Sequence, residues 1–268
     1  MVDYGRYTTL IIEKKDRIAT VTLNRPKVLN AIDMVMHREL EDIWVDLMAD
    51  DEVYVAVLTG TGRCFSAGGD IKEMVEAYTT KKPYTTINGA RRLIMNILAM
   101  EKPVIAAVNG DAIGLPANIV LFSDIIIAAE DARLGDPHVS RIGLVAGDGG
   151  AIIWPLLAGI CKAKELLLTG DLITAKEAER MGIINYALPR DQVLPKAMEF
   201  ARRLAFGPTR AIRWTKICIN KRLRDEVNLV LDASLGIEYA VTFWTEDHGE
   251  AIKSFVEKRE AQFKGIWP

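Results

Sequence analysis

Apolar and polar positions change their period as the chain is followed. Residues 10–14 and 18–23 alternate and carry β-branched side chains, with Lys15-Asp16 between them, which predicts a hairpin. Asn24-Arg25-Pro26-Lys27 breaks the strand, and a helical pattern starts at Asp33 and runs to residue 48. Residues 53–58 predict a short buried strand, followed by a loop containing Gly60, Gly62, Gly68 and Gly69. A helix is expected over 86–100, a strand over 104–108, a helical turn over 117–122 and a strand over 125–129. Strands alternating with helices make the fold class α/β with a parallel βαβ-type core. From Ala151 onward the strand signals fade, and helices are expected over 163–169, 175–181, 192–205, 209–221, 234–245 and 248–263. The division that follows is an α/β core over residues 1–200 and a helical region over 201–268.

Composition narrows the function classes. Of 268 residues, 50% are hydrophobic and 26% charged, and the formal net charge is −2, so no basic footprint for nucleic acid is present. The apolar stretch 103–124 is interrupted by Asn109, Gly110, Asp111, Gly114, Pro116 and Asn118, so no membrane span is expected. Residues 1–10 are polar and lack the apolar segment of a secretory signal, and the expectation is a cytoplasmic protein. Cys64, Cys161 and Cys218 are far apart, with no metal-ligand spacing, and read as reduced thiols.

Two loops can carry chemistry. Arg63-Cys64-Phe65-Ser66-Ala67-Gly68-Gly69-Asp70-Ile71 follows a buried strand and ends at a helix start, where free amides point outward. The alternative is a strand-to-helix turn that simply needs glycine. Val108-Asn109-Gly110-Asp111-Ala112-Ile113-Gly114-Leu115-Pro116 has the same context. On neighbouring parallel strands both loops would meet at the carboxyl edge of the sheet, where ligands bind in open α/β folds. Two converging amides there would make an oxyanion hole.

Asn24-Arg25-Pro26-Lys27-Val28-Leu29-Asn30-Ala31, Phe65-Ser66-Ala67-Gly68-Gly69-Asp70-Ile71-Lys72-Glu73 and Lys102-Pro103-Val104-Ile105-Ala106-Ala107-Val108-Asn109-Gly110 resemble the enoyl-CoA hydratase/isomerase (crotonase) superfamily. So do Ser123-Asp124-Ile125, Leu168-Thr169-Gly170-Asp171 and Phe255-Val256-Glu257-Lys258-Arg259. The resemblance implies a ClpP-like spiral of ββα units with a helical C-terminal trimerisation region, a homotrimer or dimer of trimers, and an acyl-CoA thioester as ligand. It implies no metal and no cofactor other than the CoA of the substrate. It implies oxyanion-hole amides at Ala67 and Leu115, the latter where glycine is usual, and CoA contacts from Lys27, Val28, Ala67, Asp70, Ile71, Phe255 and Lys258. Lys258 reads equally as a solvated helix lysine.

The chain departs from the family pattern at both expected glutamates. Asn118 stands where the first would be and His138 where the second would be. Asparagine can orient water but cannot exchange a proton near neutral pH. Asp148, in Gly147-Asp148-Gly149, is the nearby carboxylate. It reads either as a helix cap or as the partner of His138 in a general-base pair. A comparable His and Asp near a Gly-Asp-Gly…Trp-Pro stretch resembles crotonase relatives that cleave β-diketones; here Trp154-Pro155 completes it, and Leu115 stands where those relatives carry another histidine. Asp136 reads as a turn residue before Pro137, His37 as a surface residue, and His248 as part of a helix start. Met74, Tyr78 and Tyr84 suggest an apolar acyl pocket wall.

The leading expectation is therefore a hydratase, isomerase or lyase acting on an acyl-CoA, with Asp148, His138 and Asn118 as catalytic candidates. The alternatives are a C–C bond hydrolase acting on a β-keto acyl-CoA or β-diketone through His138 and Asp148, and a CoA-thioester-binding protein without catalysis.

Overall fold

The computed structural model describes residues 2–82 and 86–265. The expected hairpin is β1 (Leu10–Lys15) and β2 (Ile18–Leu23), closed by Asp16 and Arg17 in left-handed conformations, φ 52° and 67°. Two positive-φ residues make the tight turn whose twist suits antiparallel strands. Helix α1 (Met34–Ala49) begins where Asp33 accepts a hydrogen bond from the Met36 amide at 2.8 Å. It is followed by β3 (Val55–Gly60), α2 (Ile71–Thr80), α3 (Ile87–Ala99), β4 (Val104–Val108), β5 (Ala112–Ile113) and α4 (Leu115–Leu121). Next come β6 (Ile125–Ala129), β7 (Arg133–Gly135), α5 (Gly150–Ala158), α6 (Ile160–Thr169), β8 (Ile173–Thr174), α7 (Ala175–Arg180) and β9 (Tyr186–Leu188). Helices α8 (Arg190–Ala205), α9 (Thr209–Gly236) and α10 (Glu246–Glu257) complete the order.

One sheet has the order β1-β2-β3-β4-β6-β9, antiparallel only between β1 and β2; the other has the order β5-β7-β8. Because side chains alternate along a strand, the large sheet feeds two cores. Ala56, Leu58, Val104, Ala106, Val108, Ile126 and Ala128 face the core shared with α1 and α3. Val55, Val57, Ile105, Ala107, Ile127 and Ala129 face α8 instead. That helix offers Val193, Ala197, Ala201 and Ala205 at four-residue spacing, a stripe small enough for close approach to the sheet. Helix α8 passes through residue 200, the boundary expected from sequence, so the helices that leave the sheet begin with α9.

Helix α9 is longer than its pattern suggested, because Val227, Leu231 and Leu235 bury one stripe beyond residue 221. The expected helix over 234–245 is a π-helical turn, Ile237–Val241, and a tight turn, Thr242–Trp244. Helix α10 stops at Glu257, short of the expected 263, with Lys258 left-handed. Within the described residues, no helix is long and apolar enough to cross a membrane.

Candidate active site

The two glycine-containing loops are laced together. Ser66 N–H donates to the Asp111 carbonyl at 3.0 Å and Ile113 N–H to the Ser66 carbonyl at 3.1 Å. Gly68 has φ +105°, and a Cβ there would press on the Ile113 carbonyl at 3.2 Å. Gly114 has φ +69°, and a Cβ there would meet His138 Cε1 at 3.4 Å. Glycine is needed at both places so that the loops and the imidazole can close on one another.

Both loops aim amides into a small cavity. Leu115 opens α4 and so has no intrahelical acceptor. Among the described residues, neither its N–H nor that of Gly69 meets a protein acceptor, and both residues line the same cavity of about 20 Å³, room for about one water. Ala67 does not match its expected role: its N–H donates to the Leu29 carbonyl at 3.0 Å. The open amide on that loop is Gly69's, two residues on. Leu115 keeps its expected position, with its side chain buried.

The floor of this cavity is a buried polar network. Asn118 spends every hydrogen-bonding group it has. Its Nδ2 donates to Asp136 Oδ2 and to Asp148 Oδ1, each at 2.9 Å, and its Oδ1 accepts from Trp154 Nε1 at 3.1 Å. This fixes the amide orientation and commits both amide hydrogens of Asn118 to the two carboxylates, which it orients. Asp136 keeps the expected turn role, its Oδ1 accepting from the His138 amide at 3.3 Å, and beyond that it is buried and is the direct partner of His138 Nδ1. The π-helical turn His138–Ile142 brings the imidazole back over that carboxylate. The other ring nitrogen, Nε2, lies 3.6 Å from Asp148 Oδ2. Asp148 is not a helix cap: Gly149 occupies that place, and the Asp148 carboxylate turns inward.

The charges follow from these contacts. Burial alone would lower the His138 pKa, but the Asp136 and Asp148 charges and the hydrogen bond to Asp136 hold it well above the ordinary value, so the ring is an imidazolium near neutrality. Burial raises Asp136, yet the His138 charge and the bonds from His138 and Asn118 outweigh it and keep Asp136 ionised. For Asp148, burial and the Asp136 charge outweigh His138 and raise the pKa to about 6. A carboxyl with that pKa can accept and return protons near neutral pH.

Two further titratable groups line this cavity that sequence reasoning did not place there. His37, expected at the surface, is 2% exposed, with Nδ1 2.9 Å from Glu41 Oε1. Its signal was present: His37 and Glu41 are one helical turn apart. Glu238 reaches in from the π-helical turn Ile237–Val241, and nothing in its local sequence marked it. His248, by contrast, is wholly buried outside the cavity and bonded through Nδ1 to the Ile142 carbonyl at 2.6 Å.

A larger cavity of about 240 Å³ adjoins the small one, sharing Gly69, Met74 and His138 with it. Of the residues expected beside CoA, Ala67, Ile71 and Phe255 line it. Lys27, Val28, Asp70 and Lys258 do not. Asp70 caps α2 and pairs with Arg25 at 3.1 Å, which accounts for its carboxylate structurally. Arg133 and Arg141, which sequence reasoning passed over, line this cavity; Arg133 is paired with Asp111, which lines it too, its Nε donating to Asp111 Oδ2 at 3.1 Å. Met74 lines both cavities, Tyr78 instead bonds the Thr245 carbonyl at 3.2 Å, and Tyr84 lies outside the described residues.

Asp136, His138 and Asp148 offer ligand atoms within 4.8 Å of one another. They do not suit one ion, because the two ring nitrogens face different carboxylates and the Asn118 amide hydrogens already bridge those carboxylates.

The family model described as enoyl-CoA hydratase/isomerase matches residues 13–266. A short-chain-enoyl-CoA hydratase of Clostridium acetobutylicum is 35% identical over 94% of this chain and 96% of its own length. The crystal structure of an enoyl-CoA hydratase/isomerase from Mycobacterium paratuberculosis superimposes with a TM-score of 0.87 at 36% identity, covering 94% of this chain and 100% of that one. A β-diketone hydrolase from Anabaena sp. PCC 7120, solved with (S)-3-oxocyclohexyl acetic acid, superimposes with a TM-score of 0.80 at 28% identity, covering 90% of this chain and 96% of that one.

Proposed function

The chain belongs to the enoyl-CoA hydratase/isomerase family and has its crotonase fold, and from that premise we propose that it processes an acyl-CoA thioester through an enolate, with Asp148 as the proton carrier. One observation carries the reading: the free amides of Gly69 and Leu115 line the same small cavity as Asp148 and His138. The thioester oxygen accepts hydrogen bonds from both amides. Asp148 takes the α-proton as the C–H electron pair moves onto that oxygen, and returns the proton to carbon when the enolate collapses. The His138 imidazolium favours the developing negative charge, a role that needs no proton transfer from the ring. CoA extends along the larger cavity, where Arg141 supplies positive charge and Arg133 is paired with Asp111. Two glutamates sharing a water form no part of this scheme.

A second reading is supported by the likeness to the β-diketone hydrolase and by the paired His138 and Asp136. There, water adds to a β-ketone, the C–C bond breaks, and the departing enolate occupies the amide pair.

The test is mass spectrometry after incubation in deuterated water with saturated, 2-enoyl, 3-enoyl and 3-oxo acyl-CoAs. Deuterium gained at the α-carbon of the saturated thioester is expected. Water gained with C–C cleavage of the 3-oxo thioester would replace this reading with the hydrolytic one. No exchange in any thioester would overturn both.

The helical region fits self-association as a homotrimer or dimer of trimers: α9 exposes Trp214, Ile219 and Leu229 to solvent in the single chain. Light scattering tests this, and a monomer would overturn it.

A further inference from the structure

His248 is a buried titratable side chain that the proposed chemistry does not use, and it lines neither cavity. Burial pushes its pKa down to about 4, so the ring is uncharged near neutral pH. The Ile142 carbonyl, 2.6 Å from Nδ1, can only accept, so Nδ1 carries the single ring proton and donates it. Among the described residues Nε2 meets no hydrogen-bond partner, and the ring packs against Phe243 and Tyr78, with centroids 4.7 and 5.7 Å away. An apolar side chain would fill this place without leaving a buried nitrogen unpaired. What the imidazole adds is one directed hydrogen bond.

That bond ends on the element that carries His138. Ile142 closes the π-helical turn that His138 opens. Like the last carbonyls of any helix, those of the turn need partners from outside it. At the start of the turn, Asp136 Oδ1 accepts from the His138 amide at 3.3 Å and also meets the ring at Nδ1. At its end, His248 holds the Ile142 carbonyl. Gly143 follows with φ +62°, and a Cβ there would press on the Asp247 carbonyl and the His248 amide nitrogen at 3.1 Å. The turn and the first residues of α10 therefore meet backbone to backbone, with the His248 bond across the contact.

We propose that His248 is a positioning residue for His138: by donating to the Ile142 carbonyl it fixes the far end of the π-helical turn and so holds the His138 ring against Asp136 and Asp148. His248 touches no reacting atom and acts only through the turn. The charged groups that face His138 are Asp136, Asp148 and Glu238; those that face His248 are Tyr78 of α2 and, through its charge, His138 itself. Freed at its far end, the turn lets the ring move off its two carboxylates, which weakens their hold on its proton. The effect on catalysis rests on the acyl-CoA reading of the site; the effect on the His138 ring does not.

Nitrogen NMR of histidine-labelled protein tests it, since the chain has only 3 histidines to resolve. In His248→Leu the titration midpoint of His138 should fall by about one pH unit. Exchange of the α-proton of butyryl-CoA should fall roughly 10- to 100-fold, the scale of a group misplaced by about 1 Å, with little change in Kd. His248→Asn should restore both, because its Nδ2 stands where the imidazole Nδ1 stood and can still donate. An unmoved His138 midpoint in His248→Leu overturns the proposal, even if that variant melts lower, because His248 would then be a packing residue. If His248→Leu does not fold, Gly143→Ala loosens the same contact from the turn's side: a lowered His138 midpoint supports the proposal and an unmoved one overturns it. If wild type exchanges no α-proton, the acyl-CoA reading falls while the His138 midpoint still decides the proposal.

Discussion

The layer between the large sheet and α8 and the floor of the small cavity are equally buried and built on opposite terms. In the first, Val55, Val57, Ile105 and Ile127 meet the alanine stripe of α8. In the second, Asp136, His138, Asp148 and Glu238 are packed out of water within one polar network. Aliphatic burial stabilises by about 25 cal/mol per Å², whereas an ionised group taken out of water is tolerated only when paired. The comparison shows which part of the fold supplies stability and which part draws on it to keep proton-carrying groups in place.

The largest expected effect that would break this contrast is catalytic. Asp148→Asn should lower α-proton exchange about 10²- to 10⁴-fold while the Kd for butyryl-CoA changes little, since asparagine can still accept from Asn118. Unchanged exchange would make Asp148 a structural member of the network. Asn118→Asp should rank next, because it sets a third carboxylate against Asp136 and Asp148. A loss of about 3 kcal/mol is expected, read as a clearly lowered Tm, and an unchanged Tm would mean that the Asn118 bridge carries no energetic weight. On the apolar side, Ala201→Leu should cost about 2 kcal/mol through overpacking and leave the pH profile of exchange alone. If it abolished exchange without lowering Tm, the two regions would not be separable.

The smallest effect sharpens the comparison through pH. Because the folded state holds the Asp148 proton up to about pH 6, which an unfolded chain releases near 4, this group's contribution is present below about pH 4 and is lost as pH rises to about 6. Asp136 has the opposite sign, contributing above its ordinary value and losing that contribution on acidification. The difference in thermal stability between Asp148→Asn and wild type isolates Asp148. It should grow in the variant's favour across that interval, by on the order of 1 kcal/mol given the coupling to His138. A difference that stays flat with pH would place the Asp148 pKa near its ordinary value.

The apolar layer was almost fully legible in the sequence, because strand period and helix period write its contacts directly. Strands β4 and β6 match their expected ranges, and β3, read as a short buried strand, lies two residues further on. The cavity floor was legible only in part. His138 stood out where the family pattern expects a glutamate and Asp148 as a titratable group between glycines, while Asp136 was read only as the turn residue that it also is. That the same carboxylate also meets the imidazole of His138 is a contact the turn rule does not state. Ala67 was named where Gly69 offers the open amide, since loop sequence does not reveal which peptide plane is already bonded. Strands β5, β7, β8 and β9 are too short to show a period.

Glu238 reaches the cavity from a single π-helical turn after α9, and His37 and Asp148, which line the same cavity, are laid down far earlier in the sequence. During translation, the nascent chain can pair its strands and close its loops while one wall of the pocket is still inside the ribosome. The complete set of acid and base groups exists only once that late turn has emerged and docked, so the reactive chamber is finished after the scaffold that surrounds it.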